Sequence, residues 1–421
     1  MPYPRMVRIK QHFDSIPPVD NIPQEIHNQL SKSRVMSSIK PGQSVAITGG
    51  SRGVANIDII IKSIIHELKS IGAEPFVIPA MGSHGGATAE GQRMILQHYN
   101  ITEDSIGAPV KSSMETCKLG ANKDGIPVYI DKNAYEADHI AVVNRIKVHT
   151  DFTGKIESGL VKMMAIGLGK RDGAATYHKA ALHYGFERVL RGVADVVLNT
   201  GKVAFGVGMV ENPYDETCII KAFKADNLIS GEEKIQEKAK QQAAKLPFDE
   251  LDILIVDEAG KEISGTGMDT KVIGRMMQLG EEELTTPKIT RIYLRDLTDK
   301  SMGNGAGIGF ADFTTKRFVD KIDYKATYMN FITSMGVQKI RIPVHFDSDK
   351  EVFDAMFETI GMVKPEESRI VRIKNTLRLD EVDISESLID MAKNRNDLEI
   401  VDNLKDMIFD DHGNIVPDKL L

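Results

Sequence analysis

Short apolar runs alternate with amphipathic stretches along most of the chain, a pattern typical of strands that are followed by helices. In the first half this pattern predicts strands at residues 44–48, 75–79, 139–143 and 202–207. It predicts helices at residues 57–71, 87–99, 158–168, 177–198 and 231–245. Strands that alternate with helices in this way favour a parallel sheet with right-handed crossovers.

The second half of the chain also has the pattern of an α/β fold. Strands are predicted at residues 251–256, 292–294, 339–342 and 370–373. The helix predicted at 231–245 is rich in Lys and Glu and ends just before Pro247, so we interpret it as a surface helix that leads to a domain boundary. We therefore predict an α/β fold with two domains of mainly parallel sheets, at residues 1–248 and 249–400, and a tail at 401–421.

Composition narrows the classes of function. The 421 residues are 42% hydrophobic and 27% charged, as in ordinary globular proteins, and the net charge of −7 argues against a protein that binds nucleic-acid backbones. The two cysteines, Cys117 and Cys218, are too few and too far apart for a disulfide framework, a cysteine zinc site or an iron–sulfur cluster. The apolar runs fall short of the ~20 residues of a membrane span, and no signal peptide is evident. We expect a cytoplasmic protein without a membrane or nucleic-acid partner.

Glycine-rich loops follow two of the predicted strands. The loops are TGGSRG at residues 48–53 and MGSHGG at residues 81–86, and ligands bind at the carboxyl ends of strands in parallel sheets. The first loop resembles the cofactor loop of short-chain dehydrogenases, which leaves an NAD(P)-dependent oxidoreductase as an alternative. However, Ala55 stands where that pattern has its last glycine, and no Tyr-x-x-x-Lys pair is evident. We predict that the loop holds a phosphate or a carboxylate, and the alternative is an ordinary tight turn.

Three histidines and one lysine stand in sequence contexts that suggest chemistry. His84 lies between glycines, His149 follows a predicted strand, and His178 begins a predicted helix after a glycine-rich segment. A histidine pair can act as general acid and base, and a third imidazole can bind nickel, zinc or copper. Each could equally be an ordinary loop histidine. Lys162 precedes the apolar run Met-Met-Ala-Ile, so it is either a desolvated nucleophile or attachment point, or a lysine that reaches past apolar neighbours to water.

Taken together, these segments resemble the nickel-dependent lactate racemases and their homologues. The resemblance rests on GSHGGATAEGQ (82–92), on NRIKVHTDFTGKIESGLVKMMAIGLGK (144–170) and on His178. In that family the metal-binding histidine lies 16 residues beyond a lysine, and here 178 − 162 = 16. The second half resembles the same family at KEISGTGMD (261–269) and GNGAGIGFAD (303–312). The resemblance thus covers roughly residues 40–320.

The resemblance implies a nickel pincer nucleotide, a dithio-derivatised pyridinium mononucleotide that holds nickel through two sulfurs and one carbon. Lys162 would carry this cofactor through a thioamide bond, and His178 would be the fourth nickel ligand. His84 and His149 would be the two bases, one on each face of a 2-hydroxy acid whose hydride passes to the cofactor and back. The implied enzyme is an isomerase, a racemase or 2-epimerase, with its active site in the cleft between the two domains.

The resemblance also implies further site residues and partners. The cofactor loop would comprise Gly49, Gly50, Ser51 and Arg52, and the substrate candidates are Lys147, Lys261 and Asp269. Lactate racemases have an Asp-Asp-x-Thr-Arg-Pro loop where this chain has TGGSRG, and this chain has two additional residues at 156–157 and no Trp. We therefore expect a larger or more polar substrate than lactate, such as a sugar acid. Enzymes that make the cofactor would be transient partners, and a non-catalytic anion-binding homologue remains an alternative.

Overall fold

The computed structural model describes residues 3–51 and 53–416. These residues form two compact units. The first unit is Ser15–Ala243, and the second unit combines residues 3–14 with residues 244–416. No helix in the described part of the chain is long and apolar enough to cross a membrane.

The elements are numbered in chain order. The strands are β1 (Met6–Gln11), β2 (Ser44–Gly49), β3 (Glu74–Pro79), β4 (Thr116–Ala121), β5 (Pro127–Asp131), β6 (His139–Arg145), β7 (Val203–Glu211), β8 (Thr217–Lys224), β9 (Glu250–Ala259), β10 (Lys288–Leu297), β11 (Phe313–Thr315), β12 (Val344–Phe346), β13 (Ile370–Ile373), β14 (Glu381–Ser385) and β15 (Leu398–Ile400). The helices are α1 (Ile22–Lys32), α2 (Ile57–Ser70), α3 (Ala89–His98), α4 (Glu103–Ile106), α5 (Lys132–Glu136), α6 (Leu160–Lys162), α7 (Lys170–Tyr184), α8 (Phe186–Leu198), α9 (Leu228–Gln241), α10 (Thr270–Ile273), α11 (Lys316–Asp320), α12 (Tyr324–Thr333), α13 (Asp349–Phe357) and α14 (Ile389–Lys393).

The first unit is built on a five-stranded sheet in the order β3-β2-β6-β7-β8. The first four strands run parallel, and β8 returns antiparallel to β7. Side chains of β2 alternate between two apolar clusters: Ala46 packs into one, and Val45 and Ile47 pack into the other. The sheet is therefore buried on both faces, as parallel sheets usually are, and the loops after β2, β3 and β6 leave it at the same edge.

The second unit contains an eight-stranded sheet in the order β12-β11-β10-β9-β13-β14-β1-β15. Its first five strands are parallel, and the last three are antiparallel to their neighbours. Strand β1 comes from the chain's beginning and inserts between β14 and β15, so that Met6 lies opposite Ser385. The prediction of an α/β fold with mainly parallel sheets is confirmed. Residues 3–14, which we had placed in the first domain, contribute to the second unit.

The strand predicted at 339–342 is wrong. Residues Val337–Ile340 form a short 3₁₀ helix, and the strand lies later, at Val344–Phe346. The side chain of Lys339 is buried, and its ammonium donates to Gln278 Oε1 at 2.6 Å. The segment Lys-Ile-Arg-Ile alternates polar and apolar residues over four positions, which is too short to distinguish a strand from a helical turn.

The single helix predicted at 177–198 is also wrong, because the structure has two helices there, α7 and α8. They meet at Gly185, whose backbone angles are φ 79° and ψ 149°. A residue with a side chain rarely adopts a positive φ of this kind, so glycine permits the break. Helix α7 begins at Lys170, which places His178 inside the helix rather than at its start. The break also brings Phe186, the first residue of α8, to the position described below.

Candidate active site

The loops that follow β2 and β3 both pack against the turn after Lys162. A methyl group added at Gly50 would lie 3.4 Å from Met163 Cε. At Gly82, where φ is +59°, the added methyl would lie 3.1 Å from Ile166 Cγ2. The turn itself, Met163–Gly167, is a π-helical turn, a rare form that often occurs at functional sites. The predicted glycine loops are therefore gathered around the segment that begins with Lys162.

His84 is exposed, and it is positioned by buried residues. Its Nδ1 is hydrogen-bonded to the hydroxyl of Ser51, in the loop after β2. Beneath the loop, the side-chain amide of Gln92 donates to the carbonyls of Gly82, at 2.9 Å, and of His84, at 3.2 Å. Gln92 Oε1 in turn accepts from the buried ammonium of Lys170 at 3.2 Å. The exposed imidazole thus stands on a backbone that buried hydrogen bonds fix.

His149 and Lys162 are brought into direct contact. Lys162 Nζ lies 2.6 Å from His149 Nε2. The other ring nitrogen, Nδ1, accepts the backbone N–H of Asp151 at 3.0 Å. The imidazole packs on Phe152, with ring centroids 4.5 Å apart, and only 11% of its side chain is exposed. A predicted base and the predicted attachment lysine therefore share one hydrogen bond.

His178 is in contact with the same group of aromatic side chains. Its ring meets Phe186 edge-on at 5.9 Å, while Phe186 stacks on Phe152 at 5.2 Å and on His149 at 6.3 Å. The Nδ1–H of His178 donates to the carbonyl of Ala174 at 2.6 Å, which leaves the lone pair on Nε2. Burial lowers the pKa of His178 and so favours the neutral ring. This is the tautomer of a metal-binding histidine whose second nitrogen is held by a carbonyl.

Glu157 is a supporting residue that the sequence analysis missed. It is completely buried, and its carboxylate accepts the backbone N–H of His149 at 2.7 Å and that of Gly154 at 3.2 Å. Lys240 Nζ lies 3.2 Å from the same carboxylate. The 149–157 loop is therefore closed on a buried negative charge that is paired with a lysine.

Glu232 is the second residue that the analysis missed. It lies on α9, which we had predicted as a surface helix, yet Glu232 and Gln236 are completely buried. Glu232 accepts the N–H of Val161 at 2.8 Å, and burial raises its pKa to about 8. A methyl group at Gly159 would lie 2.1 Å from this carboxyl group, so any side chain there would displace Glu232 from its present position. The spacing of residues 232, 235, 236 and 239 on one helix face was the available signal.

Comparisons with known proteins concern the family and the fold of the chain. The sequence profile of the family described as lactate racemase N-terminal domain matches residues 5–187. The match covers less than half of the chain, and over these residues the chain is similar to that family. His84, His149, Lys162 and His178 all fall inside the matched range, and the match indicates a racemase-type enzyme.

One solved structure shows a related fold, and a second is similar at a lower score. The crystal structure of a protein from Thermotoga maritima is 14% identical, with a TM-score of 0.53, over 76% of this chain and 81% of that chain. The lactate racemase apoprotein from Thermoanaerobacterium thermosaccharolyticum is 13% identical, with a TM-score of 0.49, over 94% of this chain and 96% of that chain. At such identities the likeness concerns the fold alone. No curated protein sequence matches the chain.

The remaining candidates have local bonds in the structure. The backbone N–H of Lys147 donates to the carbonyl of Ser158 at 2.8 Å, and the N–H of Ser158 donates back to the carbonyl of Lys147 at 3.2 Å. The side-chain amide of Gln236 also donates to the carbonyl of Lys147, at 3.1 Å. In the second unit, Lys261 Nζ donates to the carbonyl of Gly265 at 2.7 Å, and Asp269 caps α10. Roles for these three residues toward a substrate stay predictions.

The predicted cofactor loop is only partly described. Gly49 ends β2, and Gly50 and Ser51 make the contacts given above. Arg52 lies outside the described residues. Close to the start of α2, the N–H of Ala55 donates to the carboxylate of Glu211 at 2.7 Å. A carboxylate at this helix start disfavours a phosphate there, so the geometry does not favour the dinucleotide alternative in this lactate racemase-type domain.

Proposed function

We propose that the protein is a racemase or 2-epimerase of a 2-hydroxy acid, and that it uses a nickel pincer nucleotide held by Lys162 and His178. The observation that carries the proposal is the grouping of three side chains around two stacked phenylalanines. Lys162 Nζ touches His149 Nε2 at 2.6 Å, and His178 meets the same Phe186 that stacks on His149. The racemase-type family match supports this reading.

The residues present fit such a cofactor. A primary amine is what a thioamide attachment requires, and Lys162 supplies it beside the apolar turn Met163–Gly167. His178 offers a single neutral nitrogen ligand, because its Nδ1–H is engaged by Ala174. Across residues 3–51 and 53–416, no group of three or more His, Cys, Asp or Glu side chains is arranged to hold a metal. A pincer nucleotide brings three nickel donors of its own, so one histidine completes the set.

The two other histidines would move the proton of the substrate hydroxyl. When bound, the nucleotide supplies reversible acceptance of the hydride from the carbon that bears this hydroxyl. His149 has Nδ1 bonded to a backbone N–H, so its proton lies on Nε2 and it serves as the proton donor. His84 has Nδ1 bonded to a hydroxyl, which can donate or accept, so it can take up or release a proton at Nε2.

We propose a substrate more polar than lactate. The chain has no Trp, and the loops near the site carry hydroxyl groups instead: Ser51 beside His84, Ser83 next to it in sequence, and Thr150 next to His149. Such hydroxyls can bond the additional hydroxyls of a sugar acid. Transient contact with the enzymes that synthesise the nucleotide belongs to the same proposal.

Mass and metal analysis test the proposal first. The full chain is produced in a host that makes the pincer nucleotide, together with Lys162→Ala, His178→Ala and, as a control, Lys179→Ala on the exposed side of α7. We expect a covalent adduct and stoichiometric nickel in the parent and the control. Lys162→Ala should lose both, and His178→Ala should keep the adduct and lose nickel. Loaded protein is then offered 2-hydroxy acids, and products are separated by chiral chromatography. An unmodified, nickel-free parent would overturn the proposal.

A further inference from the structure

The protons in the contact between His149 and Lys162 can be assigned from its neighbours. A backbone N–H can only donate, so the bond from Asp151 N–H to Nδ1 requires a lone pair on that nitrogen. A neutral imidazole with a lone pair on Nδ1 carries its proton on Nε2. That Nε2–H faces Lys162 Nζ at 2.6 Å and needs an acceptor there. An ammonium group has three donors and no lone pair, whereas a neutral amine has one.

We infer that His149 donates its Nε2 proton to Lys162 and thereby holds this lysine as a neutral, nucleophilic amine before any cofactor is attached. His149 then has a role that precedes catalysis: it is the positioning residue for the attachment reaction. The identity of the group that Lys162 captures rests on the proposed function. The protonation state of the amine rests on the hydrogen bonds alone.

The residues around His149 disfavour a flipped ring and a different bond at Nδ1. The ring of His149 is packed on Phe152 and is nearly buried, which hinders a flip that would exchange its two nitrogens. The carboxylate of Asp151 lies 4.0 Å from Nδ1, beyond hydrogen-bonding distance, while the backbone N–H of the same residue is the group bonded to that nitrogen.

Both backbones in the pair are tied to buried carboxyl groups. Glu157 accepts the N–H of His149 at 2.7 Å, and Glu232 accepts the N–H of Val161, the residue before Lys162, at 2.8 Å. Glu157 lies in the loop before α6 and Glu232 lies on α9, so two separate carboxyl groups hold residues that are 13 positions apart in the chain. An arrangement of this kind prepares a nucleophile, because a lone pair on nitrogen is what the attachment reaction consumes.

The attachment itself is a condensation. The amine nitrogen joins the carbon of a thiocarboxylic acid, and the carbon–oxygen bond breaks. The oxygen leaves as water with one proton from the nitrogen and one from the thiocarboxyl group, and sulfur remains as the thioamide. An ammonium group has no electron pair for the first bond, so the protonation state of Lys162 sets the rate of this step.

Acetylation of the cofactor-free chain tests the inference without any nickel or activity. The full chain from a host that lacks the nucleotide is treated at pH 7.5 with a limiting amount of neutral acetyl N-hydroxysuccinimide ester, and peptide mass spectrometry gives the rate at each lysine. An ordinary exposed lysine is only about 0.1% neutral at this pH. We expect half-buried Lys162 to react at least about tenfold faster than exposed Lys179. Equal or slower reaction would overturn the inference.

Two variants separate activation from shielding. His149→Leu removes the donor and also uncovers the amine, so loss of mere shielding would speed acetylation, whereas loss of activation slows it about tenfold or more. His149→Gln places an amide N–H near Nε2 and should keep much of the parent rate. The rate at Lys179 and the circular dichroism spectrum report whether each variant is folded. An unchanged or faster Lys162 in the Leu variant, or a Gln variant as slow as the Leu variant, would contradict the assigned donor.

The outcome is independent of the proposed function. If Lys162 is acetylated rapidly but the chain never acquires a nucleotide, this inference stands and the proposed nickel cofactor is overturned. If Lys162 is acetylated slowly but the chain acquires the nucleotide and nickel, only this inference is overturned.

Discussion

His84 and His149 look equivalent in the sequence, and the structure places them in opposite environments. His84 is exposed on a glycine loop, and its Nδ1 is bonded to the hydroxyl of Ser51. His149 is almost buried against Phe152, and its Nδ1 is bonded to a backbone N–H. A hydroxyl allows either tautomer, while a backbone N–H allows one. Two histidines assigned to the same chemistry thus differ in how firmly the fold fixes their protons.

The supports beneath the two histidines differ as well. The loop of His84 rests on Gln92, which is bonded to Lys170, and Lys170 pairs with Asp131 at 2.9 Å with both side chains completely buried. The loop of His149 rests on Glu157, whose partner Lys240 is 30% exposed. A fully buried pair is the more sensitive of the two, because removing one partner leaves a charge that water cannot reach.

Lys170→Met is expected to have the largest effect on stability. It leaves Asp131 charged and buried without its partner, which costs about 3–5 kcal/mol in the free energy of unfolding. It also removes the hydrogen bond to Gln92 beneath His84. Urea unfolding followed by circular dichroism measures the change, with Lys179→Met on the exposed side of the same helix as the control. A loss below 1 kcal/mol would show that the pair is not structurally important.

Glu232→Gln is expected to change how stability depends on pH. The pKa of Glu232 is about 8 in the folded protein, against an ordinary value near 4.5, so the folded state holds its proton more tightly. This contribution is fully present below pH 4.5, and it is lost as pH rises through 8. Glutamine is neutral at every pH, so the variant should gain roughly 2 kcal/mol or more over the parent at pH 9.

Urea unfolding between pH 5 and pH 9 gives this difference directly. Glu237→Gln, on the exposed face of the same helix, is the matched control and should parallel the parent. If Glu232→Gln and the parent show the same pH dependence, the carboxyl group is not protonated in the folded protein.

Local sequence patterns were sufficient to predict several strands, the loops that follow them and the fold class. The strands at 44–48, 75–79 and 139–143 were found from their apolar runs, and parallel topology then places the loops that follow them at one edge of the sheet. This reasoning located the loops of His84 and His149 on the same edge. The fold class followed from the same alternation.

The features that could not be predicted from the sequence depend on contacts between residues that are distant in the chain. Strand β1 pairs with β14, hundreds of residues away, and its own six residues do not indicate a partner. The carboxyl group of Glu232 is buried beside Gly159, yet α9 is rich in Lys and Glu, a composition typical of exposed helices. Gly185 separates two helices, although a single glycine within a helical pattern is often tolerated. In each case the outcome depends on tertiary packing, which a local pattern does not contain.

Phe186→Leu tests whether the aromatic packing controls His178 more than His84. Losing the stacked ring should cost about 1–2 kcal/mol in the free energy of unfolding. Because burial is the main cause that lowers the pKa of His178, the variant should shift this pKa upward, toward the ordinary value. NMR titration of the histidine ring protons measures the shift. His84, which is exposed on the loop after β3, is the internal control, and an unmoved His178 would show that other side chains exclude water from it.

Ser51→Ala is expected to have the smallest effect on stability and bears on how His84 is held. The hydrogen bond lies at an exposed histidine, so its loss should change the free energy of unfolding by no more than about 0.5 kcal/mol. The larger effect is expected on the tautomer of His84. Without the hydroxyl, the ¹⁵N chemical shifts of the His84 ring should move toward those of an ordinary mixture of tautomers. The shifts of His149 should not change, because the N–H of Asp151 fixes its tautomer. Ser83→Ala, beside His84 in sequence, is the control. If the shifts of both histidines moved together, the two sites would be coupled, and the contrast between an adaptable His84 and a fixed His149 would be wrong.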